Sequence, residues 1–444
     1  MLAVKSSSDK TFRGDKLQIY DSLPKDNGLQ RYLVGGAVRD KLLNIDSYDR
    51  DWVVVGSTPQ EMENLGFTAV GKDFPVFLHP KTKEEHALAR TERKSGSGYT
   101  GFECYFAPDV SLEEDLMRRD LTINAIAQDD KGQLYDPYHG QKDLSDRVLR
   151  HVSDAFVEDP LRVLRVARFA AKLHHLNFTV APETMVMMSE IVQSGELAHL
   201  TAERVWQEWH KSLSTPHPEV FLSILKECGA LAVVLPEIDA LFGVPQPEKW
   251  HPEIDTGIHT LMVAQQAARL SSSLPVRFAA QVHDLGKGVT PESEWPSHKM
   301  HCHTGLKIIK KLCERVRVPN EFRDLALLVC EQHSNIHRAG ELKPTTFLKV
   351  LNKFDVWRKP DRLNDILLCC QADHAGRKGL EDQPYPQKAR FEVVYQAALQ
   401  VEVKAIIADG FQGKDIREEQ EKRRAIAIES ALLELADSYT NRSK

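Results

Sequence analysis

Residues 31–56, RYLVGGAVRDKLLNIDSYDRDWVVVG, contain the pattern that decides the fold. RYLV predicts a short apolar strand that runs into two glycines, AVRDKLLN predicts a helix, and DWVVVG predicts a second strand rich in β-branched residues. The alternation continues through PQEMENLG (helix), FPVFLHP (extended), EEHALAR (strand) and LEEDLMRRDLTINAIAQD (helix). Between the last two, TERKSGSGYTGFE predicts a mobile loop. This region is therefore expected to form an α/β head.

The pattern changes near Asp159, after which sequence patterns typical of strands become rare. PLRVLRVARFAAKL has apolar residues at helical spacing, and helical patterns continue to the C-terminus. The Pro-rich segment GVPQPEKWHPEIDTG marks a boundary near residue 250. We therefore predict an α+β protein in which a head with a small mixed sheet is followed by an all-α neck, body and C-terminal domain. The expected divisions are an N-terminal extension at 1–29, the head at 30–150, the neck and body at 151–250, a His- and Asp-rich domain at 251–376 and a helical tail at 377–444.

The composition excludes several classes of protein. The 444 residues are enough for two or three packed domains. The sequence has no apolar run of ~18 residues, which argues against a membrane partner, and no signal-peptide pattern at its start. Seven cysteines without a CxxC pair indicate reduced thiols in a cytoplasmic protein. Because the net charge is −6, a nucleic-acid partner would have to meet a local basic surface.

The motif GGAVRD at residues 35–40 connects the first strand to the first helix. Two glycines allow the backbone to approach a phosphate closely, and the helix N-terminus offers free N–H groups. Arg39 can add a charge-assisted contact. Taken alone, a Gly-Gly pair is more often only a turn.

Asp49 and Asp51 flank Arg50 at the entry to the second strand, so their carboxylates point to the same face. Two adjacent carboxylates are costly unless a cation lies between them, and such a pair can hold Mg²⁺ in a phosphoryl-transfer enzyme. Glu85, at the start of EHALAR, could supply a third carboxylate. The alternatives are a solvated acidic turn and an exposed strand Glu beside Glu84.

Basic residues form a stripe on the helix that follows Glu158-Asp159. Arg162, Arg165 and Arg168 recur every three residues and share one helix face, while the apolar residues between them cover the other. The stripe is therefore expected to line a surface or cleft, although a solvated helix face is the ordinary explanation.

The chain resembles the bacterial CCA-adding enzymes of the class II nucleotidyltransferase group, which also contains bacterial poly(A) polymerases. The resemblance depends on four motifs that occur in the same order: GGAVRD, DRDWVVVG, RRDLTINA and EDPLRVLRVARF. The resemblance runs from about Arg31 to the C-terminus. It implies template-independent addition of CCA to tRNA from CTP and ATP, with Mg²⁺ as cofactor. The implied contacts are Gly36 and Arg39 with nucleotide phosphates, Asp49 and Asp51 with two metals, Glu85 as third carboxylate, Arg119 with the nucleotide, Asp159 and Arg162 with the base edge, and Arg165 and Arg168 completing the site.

A second constellation lies beyond residue 250. His283-Asp284 precedes Leu-Gly-Lys-Gly, with His259 and Asp373 at helical positions on either side. This order resembles the HD phosphohydrolase superfamily. The resemblance implies a divalent metal, Mg²⁺ or a transition metal such as Ni²⁺, held by His259, His283, Asp284 and Asp373, with His283 and Asp284 also catalytic. His303 and His333 could extend the site to a second metal.

The HD resemblance further implies 2′,3′-cyclic phosphodiesterase, 2′-nucleotidase and phosphatase activity. A degenerate HD domain kept for packing is the plainer alternative. Three other functions stay open: a poly(A) polymerase, a non-catalytic RNA-binding protein, and an HD hydrolase of signalling nucleotides with the head as sensor. Both a monomer and a homodimer are compatible with the sequence.

Overall fold

The computed structural model describes residues 29–46, 50–70, 76–94 and 102–442. The chain divides into two compact units, a first that ends at Leu144 and a second that begins at Ser145 and also takes in residues 94–101. The predicted division at residue 250 therefore falls inside the second unit. No helix in the described ranges combines the length and the apolar character needed to cross a membrane.

The first unit is built on a seven-stranded sheet with the strand order β3-β4-β5-β2-β1-β8-β9. The strands are β1 (Gln30–Val34), β2 (Asp51–Val55), β3 (Thr68–Val70), β4 (Val76–Leu78), β5 (Glu85–Leu88), β8 (Ala127–Gln128) and β9 (Leu134–Tyr135). β2 pairs with β1 antiparallel and with β5 parallel, so the sheet is mixed as predicted. One face packs Val54, Met62, Phe67, Phe77 and Leu88 into a buried cluster.

Four helices accompany this sheet: α1 (Gly36–Leu42), α2 (Pro59–Asn64), α3 (Leu112–Met117) and α4 (Gly140–Asp146). Capping boxes begin two of them, Thr58 with Glu61 and Ser111 with Glu114, and satisfy N–H groups that the first helical turn leaves without partners.

Two predictions for the head are wrong in part. The helix predicted from Leu112 ends at Met117, and Thr122–Asn124 form a 3₁₀ turn before β8. In that turn, Asp120 Oδ1 accepts from the Leu121 backbone N–H at 2.8 Å and from the Asn124 side chain at 2.9 Å, so its hydrogen bonds stabilise the turn in place of a further helical turn. The ends of the predicted loop TERKSGSGYTGFE instead belong to β6 (Thr91–Lys94) and β7 (Phe102–Tyr105), which form a two-stranded sheet, and residues 95–101 lie outside the described residues.

The second unit is almost entirely helical, as predicted. Its longer helices are α5 (Leu161–Leu173), α6 (Pro182–Gln193), α7 (Ala202–Leu213), α8 (Pro218–Glu227), α11 (Thr256–Leu270), α12 (Leu274–Val282), α13 (His301–Val316), α14 (Asn320–His337), α15 (Pro344–Phe354), α16 (Asp361–Ala375), α17 (Pro386–Leu399) and α19 (Lys414–Arg442). Short helices α9 (Leu231–Val234), α10 (Pro236–Asp239) and α18 (Val403–Ala408) connect them, and β10 (Val148–Leu149) pairs with β11 (Thr179–Val180).

Polar contacts join the helices on both sides of residue 250. The buried Trp209 indole on α7 donates to Gln281 Oε1 on α12 at 2.9 Å. From the same helix, the Arg277 guanidinium donates to the carbonyl oxygens of Leu213 and Thr215. These contacts cap the end of α7 and fix α12 against it, so the Pro-rich segment is a connection within one unit.

The glycines after His283-Asp284 allow a close helix approach. A Cβ on Gly286 would overlap the carbonyl oxygen of His301 and lie 2.9 Å from the Gly305 nitrogen. A Cβ on Gly305 would in turn lie 2.7 Å from Cys330 Sγ. Only glycine lets the first turn of α13 pack directly on this backbone.

Gly286→Ala should therefore lower the free energy of unfolding by about 1–3 kcal/mol, the usual cost of overpacking against backbone that cannot move away. The exposed Gly340 has no heavy atom within 4 Å of an added Cβ, so Gly340→Ala is the matched control and should change stability by less than about 0.5 kcal/mol. Urea denaturation followed by tryptophan fluorescence measures both. Equal midpoints for the two variants would show that the approach at Gly286 can relax.

Candidate active sites

Asp51 and Glu85 lie side by side on the sheet of the first unit. Each is the first residue of its strand, and the parallel β2–β5 register places the two opposite each other. Paired residues of adjacent strands project to one face, and both residues are exposed there. Asp49, two residues earlier on the chain, lies outside the described residues.

The other face of the same strands shows which glutamate belongs to this pair. Trp52 and His86 follow Asp51 and Glu85, point the opposite way, and stack with ring centroids 5.7 Å apart. Trp52 Nε1 donates to Glu84 Oε2 at 3.0 Å. The Glu84 side chain therefore lies on the sheet face of Trp52, whereas the Glu85 side chain lies on the opposite face with Asp51.

Arg119 lies against the glycine turn. Gly35 has a φ of 67°, and a Cβ there would lie 3.2 Å from an Arg119 guanidinium nitrogen. Arg119 also pairs with Asp115 at 3.1 Å. Burial opposes ionisation of Asp115, but the charges of Arg118 and Arg119 and their hydrogen bonds outweigh it and lower its pKa. The guanidinium is therefore held next to backbone that can approach a phosphate.

Arg39 has a different environment from the one expected. It is 2% exposed, its Nε donates to Asp40 at 2.8 Å, and a terminal nitrogen donates to Asn124 at 2.6 Å. These contacts tie α1 to the Thr122–Asn124 turn. The geometry favours a role in holding Gly35-Gly36 in place over direct contact with a phosphate.

The predicted base-reading pair lies in the second unit at the start of α5. Asp159 accepts from the Leu161 backbone N–H at 3.0 Å and from Arg204 at 3.0 and 3.2 Å. Arg162 is buried and donates to the Ala155 carbonyl at 2.7 Å. The structure thus brings Asp159 to Arg204, a contact that the sequence analysis missed because no local pattern connects residues 45 positions apart.

The other two arginines of the stripe follow on the same helix. Arg168 pairs with the buried Glu208 of α7 and stacks over Phe169, 4.3 Å from the ring centroid. Arg165 lies over the same ring at 5.8 Å. The stripe is therefore anchored to α7 and is not a freely solvated face.

The four residues of the HD pattern converge in the second unit. His259 comes from α11, His283-Asp284 from the end of α12, and Asp373 from α16. His259 Nε2 lies 3.1 Å from Asp373 Oδ1, and His283 Nε2 lies 3.3 Å from Asp284 and 3.5 Å from Asp373. All four are at least 95% buried.

The buried polar atoms of this cluster fit a divalent cation. His283 Nδ1 donates to the Ala280 carbonyl at 2.8 Å, so Nε2 is the ring atom that faces the cluster, and this Nε2 and Asp284 Oδ1 have no hydrogen-bond partner. Burial opposes protonation of His283, but Asp284 and Asp373 outweigh it and raise its pKa to about 10, so the two carboxylates favour a positive charge here, on the ring or on a bound cation. Imidazole and carboxylate are suitable ligands for borderline divalent metals.

Several residues around this cluster were not assigned from the sequence. Glu253 Oε1 accepts from Nδ1 of both His251 and His259, at 3.0 and 2.9 Å. His337 Nε2 lies 2.6 Å from Asp373 Oδ2, and its Nδ1 contacts the Tyr385 hydroxyl at 2.9 Å. Such partners fix the orientation of ligands. The run HPEID and the recurrence of His at 333 and 337 were the available signals.

A further group lies on the other side of Asp284. His301, Cys302 and His333 come together with ligand atoms less than 4.8 Å apart. His333 was among the expected residues, whereas His303 is exposed and outside the group. His301, which begins α13, lies in the group instead, and its backbone carbonyl packs on Gly286.

Family models match most of the chain. The Poly A polymerase head domain matches residues 31–150, the Probable RNA and SrmB- binding site of polymerase A matches 177–242, and the HD domain matches 256–442. Solved structures share the fold. A CCA-adding enzyme in apo form II gives a TM-score of 0.63 at 19% identity and covers 93% of this chain and 92% of its own. The Thermotoga maritima CCA-adding enzyme complexed with tRNA gives 0.61 at 20% identity and covers 92% of each chain.

Similar proteins extend over nearly the whole sequence. The Multifunctional CCA protein of Vibrio parahaemolyticus is 79% identical over 404 residues, which are 91% of this chain and all of the relative. That of Aliivibrio salmonicida is 73% identical over 405 residues, again 91% of this chain and all of the relative. The chain therefore belongs to the multifunctional CCA protein family and is a CCA-adding nucleotidyltransferase that carries an HD domain.

Proposed function

We propose that the head adds and repairs the 3′-terminal CCA of tRNA from CTP and ATP, using Asp49, Asp51 and Glu85 as its carboxylates. The observation that carries the assignment is the register of β2 and β5, which places Asp51 and Glu85 on one exposed face. Mg²⁺ bound by these carboxylates would activate the tRNA 3′-hydroxyl and neutralise the leaving pyrophosphate. The role of the carboxylates is to hold the cation where the attacking and leaving oxygens must lie, since positioning is the main requirement of phosphoryl transfer.

The turn at Gly35-Gly36 and Arg119 supply the contacts to the triphosphate. The backbone at these glycines can approach phosphate oxygens without a Cβ in the way. Arg119 provides a guanidinium beside the turn, held there by the buried Asp115. Arg39 supports the same turn through Asp40 and Asn124.

Base selection is assigned to the start of α5. A carboxylate only accepts and a guanidinium only donates, so Asp159 with Arg162 can match the edge of cytosine or adenine and reject guanine and uracil. Arg204 holds the Asp159 carboxylate in position through an ion pair at 3.0 Å. Arg165 and Arg168 complete the nucleotide site, with Arg168 anchored by Glu208.

The HD domain is assigned 2′,3′-cyclic phosphodiesterase, 2′-nucleotidase and phosphatase activity. His259, His283, Asp284 and Asp373 would hold a divalent cation, Mg²⁺ or a transition metal such as Ni²⁺, which supplies the hydroxide that attacks phosphorus. Lys287 lies 2.6 Å from Asp284 and Arg377 lies 3.6 Å from Asp373, so both cations border the cluster and can offset phosphate charge. Histidine-rich donors favour a borderline metal over Mg²⁺.

One chemical requirement connects the two activities. Addition of CMP or AMP needs a free 3′-hydroxyl, and damaged tRNA can end in a 2′,3′-cyclic phosphate or a 2′-phosphate. The HD domain would remove the block and the head would rebuild the end. A poly(A) polymerase with the same head would ignore CTP, so incubating trimmed tRNA with CTP alone separates these two functions.

The first prediction concerns the carboxylates of the head. Glu85→Ala and Asp51→Ala should each reduce CMP and AMP incorporation by at least about 100-fold, since loss of a direct metal ligand costs more than loss of an outer-shell partner. Glu84→Gln, on the opposite face beside Trp52, is the matched control and should incorporate at the wild-type rate. Incorporation on tRNA trimmed to the discriminator base is the measurement. Wild-type activity of Glu85→Ala would remove Glu85 from the site.

The second prediction concerns base selection. Asp159→Asn keeps the size of the side chain but replaces one acceptor by a donor, so misincorporation of UMP and GMP should rise on the order of ten-fold, consistent with ~1–3 kcal/mol for a bidentate base contact. Single-turnover incorporation with each triphosphate alone measures the preference. A lower overall rate with an unchanged preference would make Asp159 only the cap of α5.

The third prediction separates the two sites. His283→Ala should lose hydrolysis of 2′,3′-cyclic phosphodiesters, and wild type dialysed against a chelator should lose it until a divalent metal is returned. His303→Ala, an exposed histidine of the same domain, is the control and should hydrolyse normally. On tRNA ending in a cyclic phosphate, His283→Ala should stall before any addition. Extension of that blocked tRNA at the wild-type rate would disprove the coupling.

A further inference from the structure

The group formed by His301, Cys302 and His333 has converging donor atoms. The Nε2 atoms of His301 and His333 are 3.2 Å apart. Cys302 Sγ lies 3.4 Å from the first and 3.9 Å from the second. Ligand atoms at the bond lengths of a tetrahedral zinc site, about 2.0–2.3 Å, are about 3.3–3.6 Å from one another. The group therefore has the dimensions of one face of a tetrahedral metal site.

The hydrogen bonds of the two rings orient their Nε2 atoms toward each other. His301 Nδ1 lies 2.9 Å from the His298 carbonyl, and His333 Nδ1 lies 3.0 Å from the Cys330 carbonyl. A carbonyl only accepts, so each Nδ1 is the donor and each Nε2 faces the centre of the group. Both Nε2 atoms are thus positioned as metal ligands, 3.2 Å apart.

An independent observation supplies the fourth donor. Asp284 Oδ1 is buried without a hydrogen-bond partner and lies 3.5 Å from His301 Nε2 and 3.6 Å from His333 Nε2. The other oxygen, Oδ2, faces His283 and Lys287. One carboxylate thus presents an oxygen to each side, and the approach of α13 over Gly286 is what brings His301 and Cys302 within its reach.

A second metal position at His301, His333 and Asp284 Oδ1 belongs to the proposed HD site, and we propose that the Cys302 thiolate is an additional ligand there. Two nitrogens, one thiolate sulfur and one carboxylate oxygen suit a tetrahedral borderline cation such as Zn²⁺ or Co²⁺ and do not suit Mg²⁺. The inference rests on the proposed hydrolase function and deepens it. It makes the HD domain selective for thiophilic metals through a residue that takes no part in the first position.

Cobalt titration of the full-length, chelator-stripped protein tests this assignment, because a thiolate bound to Co²⁺ gives a near-ultraviolet charge-transfer band that nitrogen and oxygen ligands do not give. With the head carboxylates saturated by excess Mg²⁺, wild type should bind two Co²⁺ per chain and show the band. Cys302→Ser should lose the band and bind the second Co²⁺ at least tenfold more weakly. His259→Ala should keep the band with one Co²⁺. Cys104→Ser, which removes a thiol from the other unit, is the matched control and should behave as wild type.

A measurement on wild type avoids any loss of folding in the variants. Zn²⁺ should protect Cys302 from alkylation by iodoacetamide by at least tenfold, as read by peptide mass spectrometry, and Mg²⁺ should not. One Co²⁺ bound without the band, or equal alkylation with and without Zn²⁺, would overturn this inference and leave the first metal position standing. Failure to bind any Co²⁺ would overturn both.

Discussion

Burial of carboxylates beside cations is the interaction on which this structure depends. Asp284 and Asp373 are almost fully buried at the convergence of α11, α12, α14 and α16, where isolated charges would be very costly. His259, His283 and Lys287 compensate for them, and burial, which would raise the pKa of both carboxyl groups, is outweighed so that each pKa lies well below its ordinary value. Contacts between His259 and Asp373 and between His283 and Asp373 thereby connect α11, α12 and α16.

A buried carboxylate beside cations is also found in the head. Asp115 is fully buried, and Arg118 and Arg119 neutralise it from three and four residues along the chain. The second of these pairs holds the Arg119 guanidinium beside the Gly35 turn. A stabilising ion pair and a candidate phosphate contact are thus consequences of one buried charge, and the proposed function of Arg119 follows from the fold of its neighbours.

The sequence analysis did not find contacts that join residues far apart. It extended α3 beyond Met117, and it did not show that Arg39 is buried against Asn124. It did not find that Asp159 contacts Arg204 across to α7. It named His303 and not His301 beside His333, since spacing along the chain does not show which residues of α13 approach His333.

The sequence by itself determined the α+β class, the mixed sheet after the Gly-Gly turn, the helical remainder and the membership in a nucleotidyltransferase family with an HD domain. These depend on periodicity and on motifs a few residues long, which are local properties of the chain. Only the tertiary structure decided that Glu85 and not Glu84 faces Asp51, and that Cys302 joins two histidines beside Asp284. The physical reason is that strand register and the approach of one backbone to another depend on packing between distant segments, and side chains acquire their partners only when that packing is complete.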